Sequence, residues 1–258
     1  VEVITRPNTE LAIELVARLL EDRIRAQPKI VLGLATGRTM EHIYERLAGS
    51  DVSFKGCTTF NLDEYIGISA DNVNSYRHYM DKHFFSKLDI DLAKTHVPDG
   101  TALDLKEAAH QYEELIEKSG GIDVQLLGIG EAGHIGFNEP LSSIMSRTRA
   151  KSLTSTTRRQ NAGMFGGNIN KVPKRALTMG VGTILDAKEL IMLATGSAKA
   201  AIVAKAVEGP ITSMVSASAI QLHPNCKVIV DEEAAENLRG REYYEFVFKN
   251  EPEWADYR

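Results

Sequence analysis

Ile30-Val31-Leu32-Gly33-Leu34, followed at once by Ala35-Thr36-Gly37-Arg38-Thr39, is the stretch on which the fold turns. The first five residues form an apolar run without alternation, the pattern of a strand buried on both faces of a parallel sheet. The next five bring glycine and two threonines to the point where a helical pattern begins, around Met40 to Leu47. Upstream, Asn8 or Thr9 can cap a helix in which Leu11, Leu15, Val16, Leu19, Leu20 and Ile24 recur at helical spacing until Pro28 stops it. Downstream, strand-sized apolar runs lie at Thr58 to Leu62, Val124 to Ile129, Glu189 to Ala194 and Lys227 to Val230. Helical patterns around Ser75 to Phe85, Leu103 to Lys118 and Ser197 to Val207 separate them. Strand and helix thus alternate repeatedly, which predicts an α/β fold: a doubly wound, mainly parallel sheet with helices on both faces, Rossmann-like in kind.

A chain of 258 residues is long enough for one large α/β domain, and no repeat or Pro/Ser-rich linker divides it, so a single domain over 1–258 is expected. Hydrophobic residues at 43% against 25% charged argue against extensive disorder. Asn161 to Pro173, rich in Gly and Asn, reads as a mobile loop or lid. The net charge of -5, with no basic stripe, leaves nucleic acid and anionic membrane surfaces without a complementary face. Cys57 and Cys226 are the only cysteines and stand in no CxxC spacing, so neither a disulfide framework nor a zinc signature is present. The apolar runs fall short of the roughly 20 residues that cross a bilayer. Val1-Glu2-Val3-Ile4 lacks a signal-peptide pattern, and the expected location is the cytoplasm.

In an open parallel sheet, ligands gather beyond the carboxyl ends of the strands, and the chemistry-bearing residues stand there. Thr36, Gly37, Arg38 and Thr39 form a turn whose helix N-terminus suits phosphate, although a plain strand-to-helix turn with capping threonines has the same residues. Ala194-Thr195-Gly196-Ser197-Ala198-Lys199 is a second anion candidate, with Ser197 able to cap a helix. Lys199 would lie in that helix's first turn, where a cation is disfavoured unless it meets an anion or simply remains solvated. Asp63 and Glu64 end the run Thr58 to Leu62 and offer a general base, or merely an acidic turn. Gly128 to Pro140 carries four glycines with His134 and Glu139, a pair able to form a carboxylate-oriented imidazole that shuttles protons. No third ligand accompanies His134 and Glu139, and neither HExxH nor an all-carboxylate pattern is present, so no metal is expected.

LGLATGRT at 32 to 39, FNLDEY at 60 to 65, GHIGFNEP at 133 to 140, SRTR at 146 to 149 and ALTMGVGTIL at 176 to 185 together resemble the glucosamine-6-phosphate deaminase family. The resemblance spans nearly the whole chain and implies a phosphorylated amino sugar as substrate. It further implies that His134, supported by Glu139, helps open the sugar ring and that Asp63 moves a proton from C2 to C1. Ammonia then leaves and fructose 6-phosphate remains, with no cofactor required. Lys199 and the loop Thr36 to Thr39 match the family's phosphate site, and a homo-oligomer is implied by resemblance alone.

Ser142, Arg149 and Lys151 match positions that bind an allosteric effector, N-acetylglucosamine 6-phosphate, in some relatives, with Ser152 in place of threonine and Tyr243 or Tyr244 as an approximate counterpart of a C-terminal tyrosine. Helix capping and surface charge would account for the same residues. Two departures stand out. Ala132 occupies a position usually Asp or Asn, and Gly163 one usually held by a phosphate-binding arginine, a loss for which Arg38 can compensate. Galactosamine 6-phosphate or another phosphosugar is the rival substrate. A sugar-phosphate sensor without turnover is the rival class, against which the three proton-transfer groups Asp63, His134 and Glu139 weigh.

Overall fold

The computed structural model describes residues 1–258. Its ten strands are β1 (Glu2–Arg6), β2 (Val31–Leu34), β3 (Thr58–Asn61), β4 (Asp63–Tyr65), β5 (Thr95–His96), β6 (Val124–Leu127), β7 (Arg149–Ser152), β8 (Arg175–Thr178), β9 (Glu189–Ala194) and β10 (Cys226–Asp231). Seven of them form one wholly parallel sheet in the order β1-β10-β9-β6-β2-β3-β5. The chain runs from β2 outward through β3 to β5 on one side, then returns to β6 and proceeds outward through β9 and β10 on the other. The loops after β2 and β6 therefore part in opposite directions, and the crevice between them is where this topology receives a ligand.

Eight α-helices flank the sheet: α1 (Thr9–Ala26), α2 (Arg38–Ala48), α3 (Tyr76–His83), α4 (Leu105–Lys118), α5 (Ser155–Asn161), α6 (Val181–Leu185), α7 (Ala200–Val207) and α8 (Arg241–Asn250). Asn8 caps α1 by accepting a bond from the Leu11 amide, and the helix buries Leu15, Val16, Leu19, Leu20 and Ile24, the face its spacing predicts. β6, β9 and β10 are buried at every residue, as uninterrupted apolar runs require in a sheet covered on both sides. The expected parallel architecture stands, and no helix is long and apolar enough to cross a membrane.

Three features depart from the sequence reading. β4, β8 and β7 form a separate antiparallel sheet that no apolar run announced. The segment 161–173 is not an open loop: it ends α5 and winds through two 3-10 turns, with Ala162, Phe165 and Val172 buried against Tyr65 and Phe137. Those three apolar side chains, scattered among glycines and asparagines, are enough to dock it. Ser197 does not cap a helix either. Gly196 precedes a 3-10 turn at Ser197–Lys199, and Lys199 itself stands at the cap of α7.

Candidate active site

β4 carries Asp63 into the crevice because it is pinned on its far side: Asp63 opposes Thr178, Glu64 opposes Leu177 and Tyr65 opposes Ala176 in the antiparallel ladder with β8. The Asp63 carboxyl is buried, and that burial, followed by the charge of neighbouring Glu64, pushes it up to about 8. A carboxyl in that range exchanges protons near neutrality, as a general base must.

The segment after β6 is fixed almost bond by bond. Phe137 donates its amide to Thr178 Oγ1 (3.1 Å), Asn138 Nδ2 donates to the carbonyls of Ile135 and Met179 (2.9 Å each), and Ser216 Oγ donates to the Asn138 carbonyl (2.7 Å). Glycine is required in two places by close approach. A Cβ on Gly130 would lie 2.2 Å from His134 Nε2, and one on Gly136 would lie 3.0 Å from Thr178 Oγ1 and 3.4 Å from Asp63 Oδ2. The loop thus packs its backbone directly against the His134 ring and beside the Asp63 carboxyl.

His134 and Glu139 are both buried, with His134 Nδ1 at 3.7 Å from Glu139 Oε2. That is longer than a hydrogen bond, yet neither atom has another partner. The other Glu139 oxygen accepts the Thr154 amide at 2.8 Å, which orients the carboxylate toward the ring. Burial lowers the His134 pKa; Glu139 opposes that shift, Lys199 adds to it and Glu131 opposes it. The imidazole is therefore neutral at physiological pH and ready to accept a proton, with an anion behind it to stabilise the cation that results.

Asp63, His134, Lys199 and the turn Thr36 to Thr39 line one cavity of about 270 Å³, to which Tyr76 and Gln160 also contribute. Gly37 caps α2 without any side-chain bond, and while the Met40 amide turns back to the Gly37 carbonyl, the amides of Arg38 and Thr39 have no partner. Two tyrosines hold this turn, Tyr79 through a 2.8 Å bond to the Gly37 carbonyl and Tyr44 through one to that of Ala35. The second expected anion loop behaves differently. The Gly196 amide donates to Asp231 and the Ser197 amide to Glu233, so its backbone donors are already occupied by carboxylates. What it gives the cavity is Thr195 and Lys199, whose Nζ donates to the Ile129 carbonyl at 2.8 Å and retains further protons for an anion. Burial lowers the Lys199 pKa, which an arriving anion would reverse.

Glu139 stands behind His134 and does not line the cavity, and neither does Gly163, whereas Arg38 does. Ser142, Arg149 and Lys151 are not gathered into one opening: Ser142 is buried with its hydroxyl on the Glu139 carbonyl, Arg149 donates to Asn138 Oδ1 at 2.8 Å, and only Lys151 has no bonded partner. A wider groove of about 1180 Å³ between α4 and β7 includes Arg149 but neither Ser142 nor Lys151. No three His, Cys, Asp or Glu side chains cluster as a metal would require. Sequence reasoning missed Tyr76 and Gln160, which lie inside helices and carry no motif of their own.

Fold and cavity together define an α/β protein with a small cavity in which a lysine and a helix N-terminus stand beside a buried carboxyl and an imidazole. The chain belongs to the family of glucosamine-6-phosphate isomerases and 6-phosphogluconolactonases, whose model matches residues 8–229. It is 47% identical over 249 residues to a glucosamine-6-phosphate deaminase of Shewanella loihica, covering 95% of this chain and 92% of that one. A Streptomyces coelicolor protein of the same name is 43% identical over 257 residues, covering 98% of each. Among solved structures, a monomeric glucosamine-6-phosphate deaminase superposes with a TM-score of 0.88 at 43% identity, over 92% of this chain and all of that one. The Trypanosoma brucei 6-phosphogluconolactonase, at 21% identity and a TM-score of 0.75, covers 92% of this chain and 98% of its own, and shares the fold.

Proposed function

We propose that the protein converts glucosamine 6-phosphate and water to fructose 6-phosphate and ammonia. One observation carries the reading: a buried carboxyl with raised proton affinity and a neutral imidazole share a sugar-sized cavity with a lysine and a free helix N-terminus. The relatives that bear the name deaminase, at 43 to 47% identity over nearly full length, support it. In this reading the phosphate docks on Lys199 and the amides following Gly37, with Arg38 at its side. His134, its cation stabilised by Glu139, takes the proton of the anomeric hydroxyl and returns it to the ring oxygen, opening the ring. Asp63 removes the C2 proton and delivers it to C1. The resulting C2 imine is hydrolysed by water, releasing ammonia.

Incubating the protein with glucosamine 6-phosphate should release ammonia and fructose 6-phosphate in equal amounts, and Asp63→Asn should abolish both. Turnover of galactosamine 6-phosphate alone would transfer the assignment to the C4 epimer, and turnover of neither would point to a different phosphosugar or to a sensor. Replacing Arg38 with Ala should raise KM for the phosphorylated substrate; an unchanged KM removes Arg38 from the phosphate site.

The same reading places the protein in the cytoplasm, where phosphosugars are held. It also includes a homo-oligomer and an N-acetylglucosamine 6-phosphate effector at Ser142, Arg149 and Lys151. Light scattering at the 28.4 kDa of one chain would refute the oligomer, and hyperbolic kinetics indifferent to the effector would refute the regulatory site.

A further inference from the structure

Glu64 is buried, yet it lines no part of the reaction cavity and meets no cation within ion-pair distance. It points to the other face of β4 from Asp63, as successive strand residues do. Its partners are three backbone amides: Glu64 Oε1 accepts from Tyr65 (2.8 Å) and Tyr76 (3.0 Å), and Oε2 accepts from Arg77 (3.0 Å). Tyr76 and Arg77 are the first two residues of α3, so the carboxylate also sits at the positive end of that helix. The cap itself is already supplied by Ser75, whose hydroxyl accepts the His78 amide. A second, charged cap on a helix of 8 residues is more than the helix needs.

Burial raises the Glu64 pKa, and charge-assisted bonds from the three amides of Tyr76, Arg77 and Tyr65 oppose that rise. We infer that Glu64 is a positioning residue for the reaction, whose buried charge, held by the N-terminus of α3, adds to the burial that keeps the proton on Asp63 in the free site. A neutral Asp63 does not repel an arriving phosphorylated sugar, and once ionised beside a fixed anion it is a stronger base than an isolated aspartate. The other groups around Asp63 oppose this little. Tyr65 on β4, Tyr76 on α3 and Tyr112 on α4 are all pushed up by burial and remain neutral. His134 is neutral as well, and Arg38 and Lys199 stand on the phosphate side of the cavity, where substrate would neutralise them. The burial of Asp63 raises its pKa most, with the charge of Glu64 next.

The inference rests on the assignment of Asp63 as the base, and its test separates the two. In substrate-free protein with ¹³C-labelled carboxyls, the Asp63 resonance should titrate about one pH unit lower in Glu64→Gln than in wild type, the shift expected of one unit charge removed at medium range. Glu64→Asp, which keeps the charge, should hold the Asp63 midpoint near that of wild type. An unshifted midpoint in Glu64→Gln, or an equal shift in both variants, overturns the inference and leaves Glu64 a helix cap. Should Glu64→Gln fail to fold, wild type alone decides: Glu64 must ionise at lower pH than Asp63, and the reverse order refutes the proposal. The acidic limb of kcat/KM should move with the Asp63 midpoint; a midpoint that moves while the limb stays fixed removes Asp63 as the base and leaves the electrostatic coupling intact.

Discussion

Asp63→Asn should abolish turnover and, at the same time, make the fold less sensitive to alkali. In the folded protein the Asp63 carboxyl is pushed up to about 8 from the ordinary aspartate value of 3.8 that an unfolded chain restores. Below about pH 4 the group is protonated in both states, and the stability of its neutral burial is fully present. As pH climbs from there, the unfolded chain releases a proton that the folded chain keeps, so wild-type stability falls by about 1.4 kcal/mol per unit until the folded group ionises too. Across roughly four units the loss has a ceiling of about 5 to 6 kcal/mol, which relaxation and water entry bring down to about 2 to 4 kcal/mol. Asparagine matches aspartic acid in shape and has no proton to release. Its unpaired amide carries a cost of about 1 to 3 kcal/mol, but that cost does not change with pH. The diagnostic is therefore the slope. Thermal unfolding followed by circular dichroism at constant ionic strength should show Tm of the variant gaining about 5 to 10 °C on wild type between pH 5 and 8.5. Two Tm curves that run parallel across that range would refute the high proton affinity of Asp63.

Three other substitutions probe the remaining parts. Lys199→Met removes one of the two cations that line the cavity and should raise KM for the phosphorylated substrate about 10- to 100-fold with a smaller effect on kcat; an unchanged KM places the phosphate elsewhere. Glu139→Gln removes the attraction that opposes the burial of His134, so the imidazole should titrate lower by NMR and kcat should fall about 10- to 100-fold; an unmoved His134 midpoint would break the pairing. Glu189→Leu on β9 strands the buried Lys227, now 3.1 Å away, and frees Arg23, which donates to the same carboxylate at 2.7 Å. Urea unfolding should show a loss of about 3 to 5 kcal/mol, and a loss below about 1 kcal/mol would mean that the pair contributes nothing net.

Strands β2, β6, β9 and β10 were legible because burial on both faces forces an apolar side chain at nearly every position, and such a run is visible without knowledge of neighbours. β7 and β8 were not legible as strands. Arg149-Ala150-Lys151-Ser152 has no apolar period, and it is extended because β8 supplies its hydrogen bonds, a cause that lies in tertiary pairing and not in local preference. The segment 161–173 misled in the opposite sense: its glycines suggested mobility, while Phe165 and Val172 dock it on Tyr65 and its neighbours. At the site, Asp63, His134, Lys199 and the turn at Gly37 could be named because they follow strands, where an open sheet collects its ligands. Which backbone donors are free could not be read. Both glycine turns look alike as sequence, yet the amides after Gly196 are taken by Asp231 and Glu233, residues more than thirty positions away.

The small antiparallel sheet holds Asp63 and the loop bearing His134 through contacts in which Lys199 and the turn after β2 take no part. Lys199 and the turn after β2 hang from the large parallel sheet, whose core does not depend on either. Asp63 and the loop bearing His134 are instead tied through Thr178: β8 fixes the register of Asp63, and its hydroxyl takes the Phe137 amide. A single residue thereby ties Asp63 to the segment that bears His134, the two groups to which the proposed mechanism gives the C2 proton and ring opening. A change at Arg38, which lines the cavity away from this contact, leaves that tie undisturbed, whereas Thr178→Val, which removes the hydroxyl, should lower kcat more than it raises KM; the reverse split would refute the tie.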